Sequence, residues 1–281
     1  MASTDHREHF IVKPGRRVRL KDIDPNDRGK HTDADSAQPL ITQHLSQMSA
    51  LQILLYAEQK HALLIVLQGM DAAGKDGVCR QVIEGMNPLG CAVISFKQPS
   101  HEERAHDFLW RIHAHAPALG QVAVFNRSHY EDVLIVRVHD LVPKHVWARR
   151  YALINDFEML LVENDTTIVK FFLHISKDEQ LERFKQRLDD PSRQWKISDA
   201  DYQERPLWDD YMAAYEDMLA ECSTERAPWY VVPSNHKWFR NLAVSQIICA
   251  TMQDMGMKAP APTVDLDHIR REYHAAKNSK A

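Results

Sequence analysis

Gly69-Met70-Asp71-Ala72-Ala73-Gly74-Lys75 carries the G-x-x-x-x-G-K spacing of a backbone cradle for phosphate. The glycines let successive N–H groups close around phosphate oxygens, and Lys75 neutralises charge. A helix opening after Lys75 would aim its N-terminus at the same anion. Two positions depart from the common pattern. Asp71 puts a carboxylate inside the loop, where it could bind Mg²⁺ directly or through water, or simply face solvent. Asp76 stands where a Ser or Thr hydroxyl usually meets the metal, so that contact must come from elsewhere, from Asp71 or from Asp76 itself.

A second group of chemistry-bearing residues is Asn126-Arg127-Ser128-His129-Tyr130-Glu131-Asp132. Arg127 offers a planar fork suited to an anion, with a structural salt bridge as the competing reading. Glu131 and Asp132 could hold metal, position an acceptor, or start the next element. Arg183 and Arg187 are four apart on one helical face, which spacing alone reads as solvated. They stand directly before the polar stretch Ser192 to Glu204. Beside such a lid-like segment they become candidates for closing over a transferred phosphate.

The elements that must position these residues alternate. Leu40, Leu45, Met48, Leu51, Leu54 and Leu55, between Ser36 and about Lys60, recur at helical spacing. Leu63 to Leu67 is an uninterrupted apolar run, as expected of a strand buried on both faces. Further strands are expected at Ala92–Phe96, Val122–Phe125, Ile168–Leu173 and Trp229–Val232. Helices are expected between them, from Ser100 to about His115, Pro143 to about Asn164, Ser176 to before Pro191, and about Pro206 to Cys222. A last helix is expected from Trp238 to about Met255. Ser100/Glu103 and Ser176/Glu179 have the spacing of capping boxes. Ser192 to Glu204 reads as a mobile loop. This alternation specifies a parallel sheet with right-handed crossovers and helices on both faces. Ligands bind such sheets at the carboxyl ends of strands, where the loop at 69–75, Lys97 and the 126–132 segment all fall. The organisation expected is an N-terminal extension over residues 1–35, one domain over 36–257 with a lid at about 183–205, and a tail over 258–281.

Composition narrows the function. The 281 residues are 44% hydrophobic and 26% charged, enough to bury a substantial core. A net charge of −4 argues against a general nucleic-acid binder, so a polyanionic substrate would need a local basic patch. No run is long enough to span a membrane and the N-terminus has no apolar signal segment. Four cysteines without a C-x-x-C pair point to a reduced cytoplasmic location. The sixteen histidines include His113-x-His115, but two residues apart on a helix they point to different faces. Scattered surface and core histidines are the simpler reading. No Asn-Lys-x-Asp guanine-reading motif accompanies the loop, which leaves a GTP switch without its base contact.

The combination GMDAAGKDG, FNRSHYEDVL, KFFLHISKDEQ, Trp195-Lys196 and APWYVVPSNHKWFRN resembles the polyphosphate kinase 2 family, from near Lys13 to about Met255. The resemblance implies an α/β three-layer P-loop kinase fold, thymidylate-kinase-like, with a parallel five-stranded sheet flanked by helices and a lid. It implies Mg²⁺-dependent (or Mn²⁺-dependent), reversible phosphoryl transfer between inorganic polyphosphate and a nucleotide, in a homodimer or homotetramer. The family's loop acid and lysine match Asp71 and Lys75, its strand-end arginine Arg127, and its lid arginines Arg183 and Arg187. The catalytic set so implied is Asp71, Lys75, Arg127, Glu131, Arg183 and Arg187, with metal at Asp71 and Glu131. Phosphate contacts are expected from Gly69, Met70, Ala72, Ala73, Gly74, Lys75, Asp76 and Asn126. Lys97, Lys196 and Arg80 are placed along a polyphosphate path by charge and position only. Some members carry Asp where this chain has Asn126, so the second metal contact falls to Asp71 or Glu131. Tyr130-Glu131-Asp132 resembles the subgroup accepting nucleoside mono- and diphosphates; diphosphate-restricted members tend to carry Tyr-Asn-Arg there. An ADP- or GDP-restricted polyphosphate kinase and an ATP-dependent nucleotide or nucleoside kinase are the alternatives.

Overall fold

The computed structural model describes residues 5–278, so the outermost parts of the expected extension and tail, 1–4 and 279–281, lie outside the described residues. Five strands form the sheet: β1 (Ala62–Gln68), β2 (Cys91–Ser95), β3 (Val122–Asn126), β4 (Thr166–His174) and β5 (Trp229–Pro233). Their order is β2-β3-β1-β4-β5 and every neighbouring pair is parallel. The strand order explains the hydropathy. β1 has neighbours on both sides and every residue of it is buried, which is why it reads as unbroken apolar sequence. β2 is an edge strand and keeps no fully buried residue.

The helices follow in chain order. The leading ones are α1 (His6–Phe10), α2 (Ala34–Glu58), α3 (Lys75–Val78), α4 (His101–Ala105), α5 (Trp110–His113) and α6 (Ile135–Val138). After them come α7 (Lys144–Val162), α8 (Lys177–Asp189), α9 (Asp199–Glu204), α10 (Trp208–Cys222), α11 (Lys237–Asp254) and α12 (Leu266–Asn278). α2 packs on α11, which lies against β4 and β5, while α7 and α10 cover the other side, where the Phe172 ring lies tilted against Tyr215 with centroids 4.4 Å apart. The result is three layers, the α/β P-loop kinase fold expected. The chain before α2 also lies on the core: Phe10, Val12 and Leu20 are buried, and Val12 N donates to Trp229 O at 2.8 Å.

Four local expectations need correction. The helix expected over 100–115 is split at His106, whose backbone is extended. Asp107 is the cause: its carboxylate accepts from Leu109 N at 3.0 Å, offering a local turn that outcompetes the helix. The Ser100/Glu103 box is reciprocal, but Ser176/Glu179 is only half formed. Glu179 turns instead to Arg183 Nε at 2.7 Å, and Ser176 N donates to Asn235 Oδ1. The segment read as a mobile loop contains a 3₁₀ turn, Gln194–Lys196, and helix α9, because Asp201 reaches back to Ser198 N at 3.1 Å. Finally, α3 passes directly into one π-helical turn, Cys79–Ile83, a distortion often found beside functional loops. The expected tail forms α12, which has no buried residue.

Candidate active site

Sheet register brings the two sequence motifs together. Leu67 pairs with Asn126, and Arg127 N donates to Leu67 O at 3.1 Å, so the β3 turn starts beside the phosphate loop. The loop backbone is unusual in its dihedrals. Gly69 and Gly74 have φ of 152° and 108°, and Ala72 is left-handed at 62°. A Cβ on Gly69 would meet Leu173 O at 2.8 Å, so the close passage of loop over β4 needs glycine. Arg127 is also left-handed, with φ 64°. Such backbone persists in a bulky residue only where its surroundings hold it.

Side chains converge on this cleft. Arg127 Nη2 lies 2.6 Å from Asp71 Oδ1 and Nη1 lies 3.7 Å from Glu131 Oε1. Burial works against this guanidinium, but Glu131 and Asp71 more than offset it and hold the charge more firmly than in water. Lys75 is buried and folds back on the loop, donating to Gly69 O at 2.6 Å and Met70 O at 3.3 Å. Burial, with the Arg127 charge adding to it, pushes its ammonium down to about 8. An anion in the loop would favour the charged ammonium. Gln180 Nε2 holds Asp71 O at 3.0 Å, fixing the loop acid from α8.

Asp76, one of the two departures in the loop, faces Asn126 at the end of β3. Asn126 Nδ2 donates to Asp76 Oδ1 at 2.8 Å, and Lys196 Nζ approaches Asp76 Oδ2 at 3.9 Å. An aspartate at 126 could not make that bond, because it has no hydrogen to donate when ionised.

The lid arginines separate into two kinds. Arg187 stays near the cleft, 3.6 Å from Asp201 Oδ2. Asp201 is itself raised by burial first, with the nearby Asp71 charge acting in the same direction. Arg183 does not lie on the solvated helix face that its spacing alone suggests. It is buried, and its fork serves the carbonyls of Ala72 and Ala73 (2.7 and 3.0 Å) and that of Asn235 (2.9 Å), besides Glu179. The Lys97 side chain is exposed, and its carbonyl accepts from Arg111 Nη1 at 2.8 Å. Arg80 is also exposed, but close enough to Arg240 to disfavour its charge.

Arg240 was not singled out in the sequence. It is buried beneath the loop, with Nη2 2.9 Å from where a Gly77 Cβ would stand, and it bonds Asn241 Oδ1 at 2.8 Å. Burial, then the charges of Arg183 and Arg80, pull it down to about 9. Its only advance signal is the FRN that closes the last quoted motif. Tyr211 is a second omission. Burial first, then its 2.8 Å bond to Glu204, raises it, and the charges of Glu131 and Asp71 act on it too. Among the described residues no cluster of three or more His, Cys, Asp or Glu could enclose a metal. The donor set near the loop is carboxylate alone.

Comparison with known proteins shows the family. The family model "Polyphosphate kinase 2 (PPK2)" matches residues 14–260. An AMP/ADP-polyphosphate phosphotransferase of Meiothermus ruber is 49% identical over 264 residues, covering 92% of this chain and 98% of the relative. An ADP-polyphosphate phosphotransferase of Rhodopseudomonas palustris is 51% identical over 236 residues, covering 80% and 82%. The crystal structure of polyphosphate kinase 2 from Arthrobacter aurescens superposes with a TM-score of 0.91 at 43% identity, covering 94% of this chain and 95% of that one. With the family model matched over residues 14–260 and a relative 49% identical over 92% of the chain, the protein belongs to the polyphosphate kinase 2 family.

Proposed function

We propose that this protein is a polyphosphate-dependent nucleotide kinase, transferring phosphoryl groups reversibly between inorganic polyphosphate and AMP or ADP. The observation that carries the reading is the convergence of Lys75, Arg127 and Arg187 with Asp71 and Glu131 around one phosphate loop. Cations there are needed by a reaction in which both substrates are phosphate anions. The close relative from Meiothermus ruber, named for AMP, ADP and polyphosphate, supports the same substrates.

In the forward step an acceptor phosphate oxygen attacks the terminal phosphorus of polyphosphate. The bond from that phosphorus to the next bridging oxygen breaks, and the shortened chain leaves with the electron pair. Lys75 and the loop N–H groups hold phosphate oxygens. Arg127 exchanges its contact with Asp71 for the moving phosphoryl group, and Arg187 leaves Asp201 to approach from the lid side. Gly69, Met70, Ala72, Ala73, Gly74 and Asp76 supply the loop wall, and Asn126 fixes Asp76. Lys196 guards the mouth of the loop.

Mg²⁺ is a hard cation that takes one or two carboxylates and completes its shell with water and substrate phosphate. Asp71 and Glu131, the two acids flanking Arg127, suit that requirement. When bound there, the metal neutralises charge on the transferring phosphates. Mn²⁺ meets the same donors. Among the described residues no helix is long and apolar enough to cross a membrane, and all four cysteines are free thiols, in keeping with a cytoplasmic enzyme. We read the assembly as a homodimer or homotetramer, as the family resemblance implies. The test is donor exchange: ADP formed from AMP and polyphosphate with no ATP present supports the reading. Product formed only with ATP as donor would make this an ordinary nucleotide kinase.

A further inference from the structure

Directly behind the Arg127 turn lies a polar cluster sealed from water. Lys170, Tyr130 and His129 are 0% exposed and Glu158 is 2% exposed. Lys170 interrupts the apolar strand β4 with its side chain toward α7. Its ammonium donates to Glu158 Oε2 (2.5 Å), Tyr130 Oη (2.8 Å) and Cys222 O (2.7 Å), which satisfies its hydrogens. Tyr130 Oη donates to Glu158 Oε1 at 2.7 Å, and His129 Nε2 meets that same oxygen at 3.2 Å. The Tyr130 ring lies edge-on to Trp229 with centroids 4.8 Å apart.

Stability alone does not account for such a group. A buried ion pair is often no more stabilising than a well-packed apolar replacement, whereas removing one partner is costly. The position of the cluster supplies a reason. Tyr130 and His129 stand between Arg127 and Glu131, the two residues that flank the cleft with Asp71. The turn they belong to is tied down locally by Ser128, whose Oγ accepts from Tyr130 N at 3.2 Å. Gln68 supports it from β1: the amide orientation that satisfies both its ends donates to Glu131 Oε1 at 3.1 Å and accepts from Ser128 Oγ at 3.2 Å. The buried cluster adds to these ties an anchor from behind, where a left-handed Arg127 has to be held by its surroundings.

We infer that the buried Lys170–Glu158 pair is a positioning device: through Tyr130 and His129 it holds the Arg127–Glu131 turn at the spacing that phosphoryl transfer requires. The inference rests on the proposed transfer reaction for its rate readout, but not for its structural one. A rigid anchor lowers the cost of aligning the guanidinium when the phosphoryl group arrives. It touches no substrate, so its loss should act on turnover and leave substrate affinity nearly intact.

Three variants test it. Lys170→Met alone leaves Glu158 buried without a cation and is expected to unfold readily. The double variant Lys170→Met/Glu158→Leu removes both charges and is expected to fold, with kcat reduced about ten-fold or more and KM for polyphosphate within about two-fold of the parent. Tyr130→Phe keeps the ring and removes the tether, and is expected to lose kcat in the same direction with an unchanged KM. Amide hydrogen exchange across Arg127–Asp132 should be faster in both folded variants. A folded double variant with parental kcat and parental exchange at those amides would overturn the inference. If the double variant does not fold, Tyr130→Phe decides by the same two readouts. Should the parent show no polyphosphate-dependent turnover, the transfer reading fails, and the exchange comparison still decides whether the anchor exists.

Discussion

Asn126 and Asp76 are joined by a 2.8 Å hydrogen bond from the amide nitrogen to the carboxylate, across the gap between β3 and the phosphate loop. Each departs from a pattern familiar at its own position, and the contact shows why the departures belong together. Asn126→Asp alone would place two carboxylates against each other. It is expected to reduce kcat/KM, and Asp76→Ser in the same chain is expected to restore much of the loss. A double-variant cycle on initial rates should give a coupling of about 1 kcal/mol. Additive effects would mean the pair does not work as a unit.

Arg183 and Arg187, one helical turn apart, should fail in different ways. Arg183→Ala removes a buried fork that serves the carbonyls of Ala72, Ala73 and Asn235, and is expected to cost about 3 kcal/mol of folding stability. Arg187→Ala removes a half-exposed contact to Asp201 and is expected to lower turnover with the unfolding midpoint unchanged. Denaturant titration beside steady-state kinetics separates the two. Equal stability losses would remove the distinction.

Glu131 Oε1 lies 3.7 Å from Arg127 Nη1, and the proposed reaction brings the acceptor to this side of the cleft. A carboxylate there can organise metal or water around a short acceptor whose phosphate has to be reached. Glu131→Asn is therefore expected to depress AMP phosphorylation several-fold more than ADP phosphorylation. Parallel rate measurements with both acceptors check it, and equal losses would contradict the role.

Lys75 sets the alkaline limb of activity. Its folded-state value, about 8, lies below the ordinary lysine value, so the free enzyme loses this positive charge as pH rises through about 8. The charge is what meets phosphate, so kcat/KM is expected to fall across that range. Bound anion favours the protonated form, so kcat alone should hold to higher pH. A pH–rate profile of both parameters gives the answer; a kcat/KM that is flat to pH 10 would contradict it.

How far the sequence could be read depended on range. The buried strand β1 and the loop after it were legible because apolar run, glycines and lysine are contiguous. Arg127 was legible because it ends an apolar strand at the edge where ligands bind. Long-range partnerships were not. Nothing near Gly77 announces that the Arg240 guanidinium fills the space beneath it, and nothing near Arg183 shows its fork committed to backbone carbonyls. Lys170 inside an apolar strand was a visible signal of a buried pair, but its partner Glu158 sits on α7 among ordinary helical residues. The split at His106 and helix α9 depended on single aspartates, Asp107 and Asp201, whose local bonds outweigh the surrounding pattern. Local chemistry reads forward; tertiary use of a charge does not.

The most direct test follows phosphate from donor to acceptor. Polyphosphate of defined length, AMP and Mg²⁺ are incubated with the protein in the absence of ATP, and chain length and nucleotide are measured together. The account predicts that one terminal phosphate leaves the chain for each phosphoanhydride bond gained by nucleotide, and that Arg127→Ala slows this exchange about a hundred-fold or more. Nucleotide phosphorylation without shortening of the chain, or only when ATP is supplied, would contradict it.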